Sequence, residues 1–240
     1  MTAQPPSPRH AWAGVRAICF DLGGTLVLPD AEPTTGQVAR VLGMSLAEAR
    51  RVMELGAKRR RVRPADLAES LAARFGRASH VGALTLVLER ARRRASEPEL
   101  FEDVRPALTA LRQRGFALFA LSNSLGSSIP AEPPTVFGEL LDEVVYSADT
   151  GSVKPEPEAF AAVERLSGLV AHQLLLVGDS RRADVAGAAA VGWHTAWLDR
   201  HHVGTGPVPG QTARLTTLAT LPLLLPAGSS PARPTTSETR

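Results

Sequence analysis

The chain has 240 residues, 44% of them hydrophobic and 5% aromatic, and 27 basic against 24 acidic residues give a formal net charge of +3. That length and composition suffice to bury a substantial core in one or two domains, and so small a charge excess demands no nucleic-acid partner. The single cysteine, Cys19, excludes an internal disulfide, and no apolar run approaches the ~18 residues that would span a membrane. The first residues carry no signal-peptide hydrophobic stretch, so a cytoplasmic protein is expected.

In chain order, residues 1 to about 12, with their prolines, read as a flexible arm. An apolar run ending at Phe20 predicts a strand that stops on Asp21 and breaks at once into Gly23 and Gly24. Cys19 lies inside that strand as a small buried hydrophobe without a redox role. From residue 29 to residue 98 the pattern turns helical, with a capping box at Ser45 and Glu48, and with Leu67, Leu71 and Phe75 on one face after Pro64. Residues 13–28 and 99–226 then form one α/β unit around that insertion. Its expected elements are a helix closed by Gly115, strand 117–122, helix 134–141, strand 143–147, helix 156–167, strand 174–178, helix 182–190 and a last strand 194–198. Such alternation predicts a parallel sheet covered by helices on both faces. Residues 227–240, rich in Pro, Ser and Thr, read as a disordered tail.

Chemistry-bearing residues gather at the strand ends. Asp21 follows the first strand, Ser122 and Asn123 end the second, and Asp179 follows the strand 174–178 with Asp184 five residues on. Lys154-Pro155 heads a helix. In open α/β sheets ligands sit outside the carboxyl ends of the strands, where all of these would lie. Each has a bland alternative: a turn for Asp21, a helix N-cap for Asp179, a helix start for Lys154. Only the conjunction supplies a nucleophile, hydroxyl and amide donors, a cation and an acid pair on one edge.

This constellation resembles the haloacid dehalogenase superfamily, whose motifs are Asp-x-Asp-x-Thr, a Ser or Thr, a Lys, and Gly-Asp-x-x-x-x-Asp. The resemblance spans roughly residues 16 to 225 and implies an α/β Rossmann-like core with an inserted helical cap, here residues 29–98. It implies Asp21 as the nucleophile that forms an aspartyl-phosphate, Thr25 as its orienting residue, and Ser122, Asn123 and Gly24 as phosphate-binding. It further implies Lys154 as the cation joining nucleophile and phosphoryl group, and Mg²⁺ held by Asp21, Asp179 and the Gly23 carbonyl. Asp184 would join that metal site directly or through water. The physics agrees: a phosphate dianion approaching a carboxylate needs Mg²⁺ and Lys154 to neutralise charge before attack, and Mg²⁺ favours oxygen ligands from one or two carboxylates.

One position departs from the pattern. Family phosphatases place an acid–base Asp where this chain has Gly23, although some phosphatase-like branches carry a similar Asp-Leu-Gly turn. Acid–base catalysis contributes on the order of 10² to 10⁴ in rate, so its loss weakens the activity without forbidding it. A phosphatase of a small phosphorylated metabolite, a sugar phosphate or similar monoester, is the expectation. The alternative is a pseudoenzyme with a regulatory or binding role. Gly178-Asp179 argues against dehalogenation, since dehalogenases lack that metal motif. A phosphonate-cleaving lysine at Lys58 is disfavoured because Lys58 lies in an arginine-rich helix read as a solvated face. Arg50, Arg51, Arg59, Arg60, Arg61 and Arg63 read the same way, balanced by nearby acids.

Overall fold

The computed structural model describes residues 8–202, 206 and 209–226, so the tail at 227–240 and the first seven residues of the arm lie outside the described residues. Six parallel strands form one sheet in the order β3-β2-β1-β4-β5-β6. They are β1 Ala17–Phe20, β2 Ala117–Ser122, β3 Glu143–Tyr146, β4 Leu174–Gly178, β5 His194–Leu198 and β6 Ala213–Leu215. The near-continuous apolar runs of β1, β2 and β4 are those of strands buried on both faces. Within β1, Ile18 and Phe20 join one hydrophobic cluster with Val104, Leu108 and Leu111 of helix Val104–Gln113. Ala17 and Cys19 join the opposite cluster with Phe160 and Val163 of helix Pro157–Ser167. The two-residue period therefore splits one short strand between two cores. Cys19 is fully buried as expected, and burial pushes its thiol pKa up.

Chain direction across the sheet reverses at β1. From there β2 and β3 run to one side and β4, β5 and β6 to the other. The crevice of a doubly wound sheet forms at such a switch point, outside the carboxyl ends of the strands. Here that point lies between β1 and β4, where Phe20 pairs with Val177.

Helices Thr34–Leu42, Leu46–Val52, Pro64–Arg74 and Val81–Ser96 fill the insertion between β1 and β2. They pack around a cluster of their own, which includes Val38, Met53, Leu67, Leu84 and Leu88 and takes in Leu125 from beyond β2. The capping box forms as the sequence predicts: Ser45 Oγ accepts from the Glu48 N–H while the Glu48 carboxylate accepts from the Ser45 N–H at 2.9 Å. A five-residue π-helical turn, Met53–Ala57, follows. The segment after it is fastened to the α/β core. Arg59 makes a bidentate pair with Glu156 at 3.0 and 2.5 Å, Arg61 pairs with Asp149 at 2.5 and 2.9 Å, and the Gly126 N–H donates to the Ala57 carbonyl at 2.7 Å. Two of the six clustered arginines thus bridge to the core rather than balancing acids of their own helices.

Three expectations are corrected. Residues 8–12 are not an arm: Pro8–Ala11 is a helical turn and Trp12 is wholly buried beside Val15 and Phe20, because an indole gains more from the core than a flexible segment gains in entropy. His194 does not open the last strand, since β6 follows, seating Ala213 and Leu215 inward with Arg214 outward. The helix expected at 182–190 is a π-helical turn, Arg181–Ala186, running into Gly187–Ala190. Such wide turns often lie at functional sites.

Trp12→Ala is expected to lower the unfolding free energy by about 3 kcal/mol or more in a urea titration, the usual cost of truncating a buried Trp. A change below about 0.5 kcal/mol, typical of surface positions, would return this segment to the status of an arm.

Candidate functional site

Asp21 stands one residue past β1, its N–H bonded to the Val177 carbonyl at 2.9 Å, so the strand ladder itself fixes its backbone. Asp179 stands one residue past β4, and Ser122 ends β2. Lys154 reaches this edge from the loop before helix Pro157–Ser167. Its ammonium lies between two carboxylates, donating to Asp21 Oδ1 at 2.6 Å and to Asp184 Oδ1 at 2.7 Å. The Lys154 and Asp184 side chains are 1% and 2% exposed and that of Asp21 14%, so this is a buried triad. A buried ammonium is tolerated only when paired. Asp184 is fully engaged, since its Oδ2 also accepts from the Ser180 N–H at 2.9 Å.

Two glycines admit these carboxylates. A Cβ on Gly24, whose φ is +78°, would lie 2.5 Å from Asp179 Oδ2, and a Cβ on Gly178 would lie 2.3 Å from Asp184 Oδ2. No side chain fits at either position without displacing a carboxylate. Gly23 is the opposite case: a Cβ there would meet nothing within 4 Å. The position where the resemblance expects a second acid is open space.

Asp21, Asp179 and Asp184 each offer a carboxylate oxygen, and these oxygens lie within 4.8 Å of one another. Three carboxylates against one ammonium leave two negative charges uncompensated. The titration behaviour reflects this. Burial, with Asp184 and Asp179 adding and Lys154 opposing, pushes Asp21 up to about 7. Desolvation and then the Asp184 charge push Asp179, the more open of the two, up to about 6. Burial alone would lower Lys154, but the carboxylates of Asp184 and Asp21 outweigh it and hold its pKa above the ordinary lysine value. An all-oxygen set with surplus negative charge suits a hard divalent cation such as Mg²⁺, so the residues present fit the ion that the motifs imply.

Other expected site residues fall differently. Thr25 is fully buried and its Oγ1 has no hydrogen-bond partner among the described residues. Ser122 Oγ lies 2.8 Å from Ser124 Oγ. Asn123, expected to donate to phosphate, is committed elsewhere: its Nδ2 donates to the Lys154 carbonyl at 2.9 Å and its Oδ1 accepts from the Lys154 N–H at 2.8 Å. It braces the lysine. The N-cap of the turn after β4 is Ser180, whose Oγ accepts from the Ala183 N–H at 3.1 Å, which leaves Asp179 free of capping. Lys58 is half-buried rather than on a solvated face, and burial lowers its pKa against the opposing charges of Glu54 and Asp21.

Sequence reasoning missed Asp103 and Arg200. Arg200 grips Asp103 through two bonds of 2.9 Å, donates to the Thr25 carbonyl at 2.8 Å and stacks on Phe101 at 3.9 Å. Burial would raise Asp103, but bonds from Arg200, Thr217 Oγ1 and the Leu218 N–H hold its carboxyl below the usual range. This network pins the loop that carries Asp21 and Gly23.

A family model for haloacid dehalogenase-like hydrolases matches residues 15–192. The chain belongs to that family. Its relatives include haloacetate dehalogenase H-2 of Moraxella sp., 38% identical over 42% of this chain and 45% of that protein, so the chain spans about half the length of this relative. A phosphoglycolate phosphatase of Pseudomonas putida is 27% identical over 90% of this chain and 81% of that protein. The fold is shared with a 2-haloacid dehalogenase of Pseudomonas syringae at a TM-score of 0.61 and 20% identity, covering 88% of this chain and 97% of that one. Among the described residues no helix is long and apolar enough to cross a membrane.

The charge surplus carries a stability prediction. Asp21 and Asp179 have folded pKa values of about 7 and about 6, above the ordinary carboxylate value. Their contribution is therefore fully present below the unfolded pKa of about 4 and is lost as pH rises through the folded values. In chelator, the thermal midpoint is expected to fall between about pH 5 and pH 8, and Mg²⁺ should raise it more at the higher pH. A Mg²⁺ increment independent of pH would contradict the cluster's role.

Proposed function

We propose that this hydrolase is a Mg²⁺-dependent phosphatase of a small phosphomonoester, working through an aspartyl-phosphate on Asp21. The observation that carries the reading is the trio of carboxylates within 4.8 Å of one another, joined by a buried lysine. Asp21 attacks phosphorus. Lys154 holds the nucleophile in line and offsets charge on the phosphoryl oxygens, with Asp184 fixing the ammonium and Asn123 fixing the lysine backbone. Ser122 and the Gly24 region receive phosphoryl oxygens, and Thr25 supplies a further hydroxyl at the nucleophile loop. Asp21, Asp179 and the Gly23 carbonyl would hold Mg²⁺, which supplies charge neutralisation on the phosphoryl group when bound. The inserted helices, residues 29–98, close the site from water and set substrate choice. Relatives named as phosphoglycolate phosphatases point to a small phosphorylated substrate.

Dehalogenation is the reading that the Moraxella relative brings. The carboxylate trio speaks against it, because a halide leaves as an anion and gains nothing from two further carboxylates beside the nucleophile. Gly23 supports a second reading, a slow pseudoenzyme that binds phosphate. Phosphate release decides between them. With Mg²⁺, the chain should release phosphate from at least one member of a panel of small phosphomonoesters that includes an activated aryl phosphate. Chelation and Asp21→Asn should each return the rate to background. No release from any member, the aryl ester included, would favour the binding protein.

A further inference from the structure

We propose that the leaving group of this site is an apolar phenolic oxygen, selected because residue 23 carries no proton donor and because an apolar wall faces Asp21. This rests on the phosphatase reading and narrows its substrate to an aryl phosphate rather than a sugar phosphate. A cavity of about 340 Å³ opens on Asp21 and Gly23 together, so the space beside the nucleophile is also the space left by the absent acid. Its apolar lining includes Val27, Ile129, Phe137 and Tyr146. Tyr146 pairs in register with Ser122 across β2 and β3, which sets the aromatic wall next to the proposed phosphoryl position.

Several polar side chains of that cavity already bond within the protein, and Ser122 is assigned to the phosphoryl group. Ser122 and Ser124 hydroxyls bond each other, and Ser128 Oγ donates to the Leu125 carbonyl at 2.8 Å. The Asn123 carboxamide bonds the Lys154 backbone through its oxygen and one of its two N–H groups. A polyol would have to share groups that already bond within the protein, whereas an aromatic ring would find Phe137 and Tyr146. The one phenol there is a far weaker acid than a carboxylic acid at residue 23 would be, because burial pushes Tyr146 up to about 12. An aliphatic alkoxide is nearly as basic as hydroxide, water having a pKa of about 16, and must be protonated as it leaves. A phenoxide, with a conjugate acid near 10 like tyrosine's, departs unaided.

The steps balance without a donor at residue 23. Asp21 forms a bond to phosphorus, the bond from phosphorus to the aryl oxygen breaks, and the phenoxide leaves with the electron pair. Water then attacks phosphorus, Asp21 leaves as a carboxylate, and both protons of the water go out with inorganic phosphate as its dihydrogen form.

The test uses the full chain with Mg²⁺ and a series of aryl phosphates of graded phenol acidity, together with cyclohexyl phosphate and a hexose phosphate. The kcat/KM is expected to fall steeply with phenol basicity and to be on the order of 10²-fold or more lower for cyclohexyl phosphate than for phenyl phosphate. At matched acidity, a ring without added hydroxyls should be preferred. A Cβ at residue 23 meets nothing within 4 Å, and Gly23→Asp should flatten the dependence and raise the cyclohexyl rate on the order of 10²-fold. Lys58→Met should leave the slope unchanged; a steeper slope in that variant would show that Lys58 supplies the proton and would overturn the proposal. Equal rates on alkyl, sugar and aryl esters would overturn this inference alone. No release from any ester would overturn the phosphatase reading along with it.

Discussion

Everything at the sheet edge depends on one ammonium held between two carboxylates. Lys154 bridges Asp21 and Asp184 at 2.6 and 2.7 Å in a nearly dry environment. One positive charge cannot satisfy three acids in that space, and Asp179 completes the excess. The protein holds this frustrated arrangement because the rest of the fold over-determines it. The β1 ladder fixes Asp21, Asn123 fixes the backbone of Lys154, Ser180 fixes Asp184, and the Asp103–Arg200 pair fixes the loop after Asp21. Such a surplus of negative charge is what a divalent cation would relieve.

The same constraint explains where the chain tolerates no side chain and where it has room for one. Gly24 and Gly178 are forced by carboxylates that approach within what a Cβ would occupy, so they belong to the charge cluster as much as the acids do. Gly23 is unforced. It lines the cavity beside Asp21, and a Cβ there would meet nothing within 4 Å. That residue 23 is a glycine is therefore not a packing consequence. It belongs with the cavity it opens on, which is walled by Val27, Ile129, Phe137 and Tyr146.

Much of this was legible in the sequence wherever the signal was local. β2, β4 and β5 lie where their apolar runs put them, and the box at Ser45 and Glu48 forms as its spacing implies. The residues brought together at the strand ends are those that the motif order singles out. What escaped was set by partners distant in the chain. β6 is three residues long with Arg214 at its centre, too short for periodicity to register. Trp12 sits among prolines that suggest a loose arm, yet its ring finds the core. Asn123 looks like a donor at a strand end, but its partner is the Lys154 backbone, 31 residues on. Arg59 and Arg61 meet Glu156 and Asp149, 97 and 88 residues away, so local charge balance misassigned them.

The central claim is that Asp21 takes the phosphoryl group itself, and rapid acid quenching of the Mg²⁺-loaded protein during turnover of an activated aryl phosphate, followed by mass spectrometry of the peptide containing Asp21, tests it most directly. The account predicts a transient adduct with the mass of one phosphoryl group on that peptide, absent in Asp21→Asn. Phosphate release with the Asp21 peptide unmodified at every quench time, or an adduct carrying the carbon skeleton of the substrate, would contradict it.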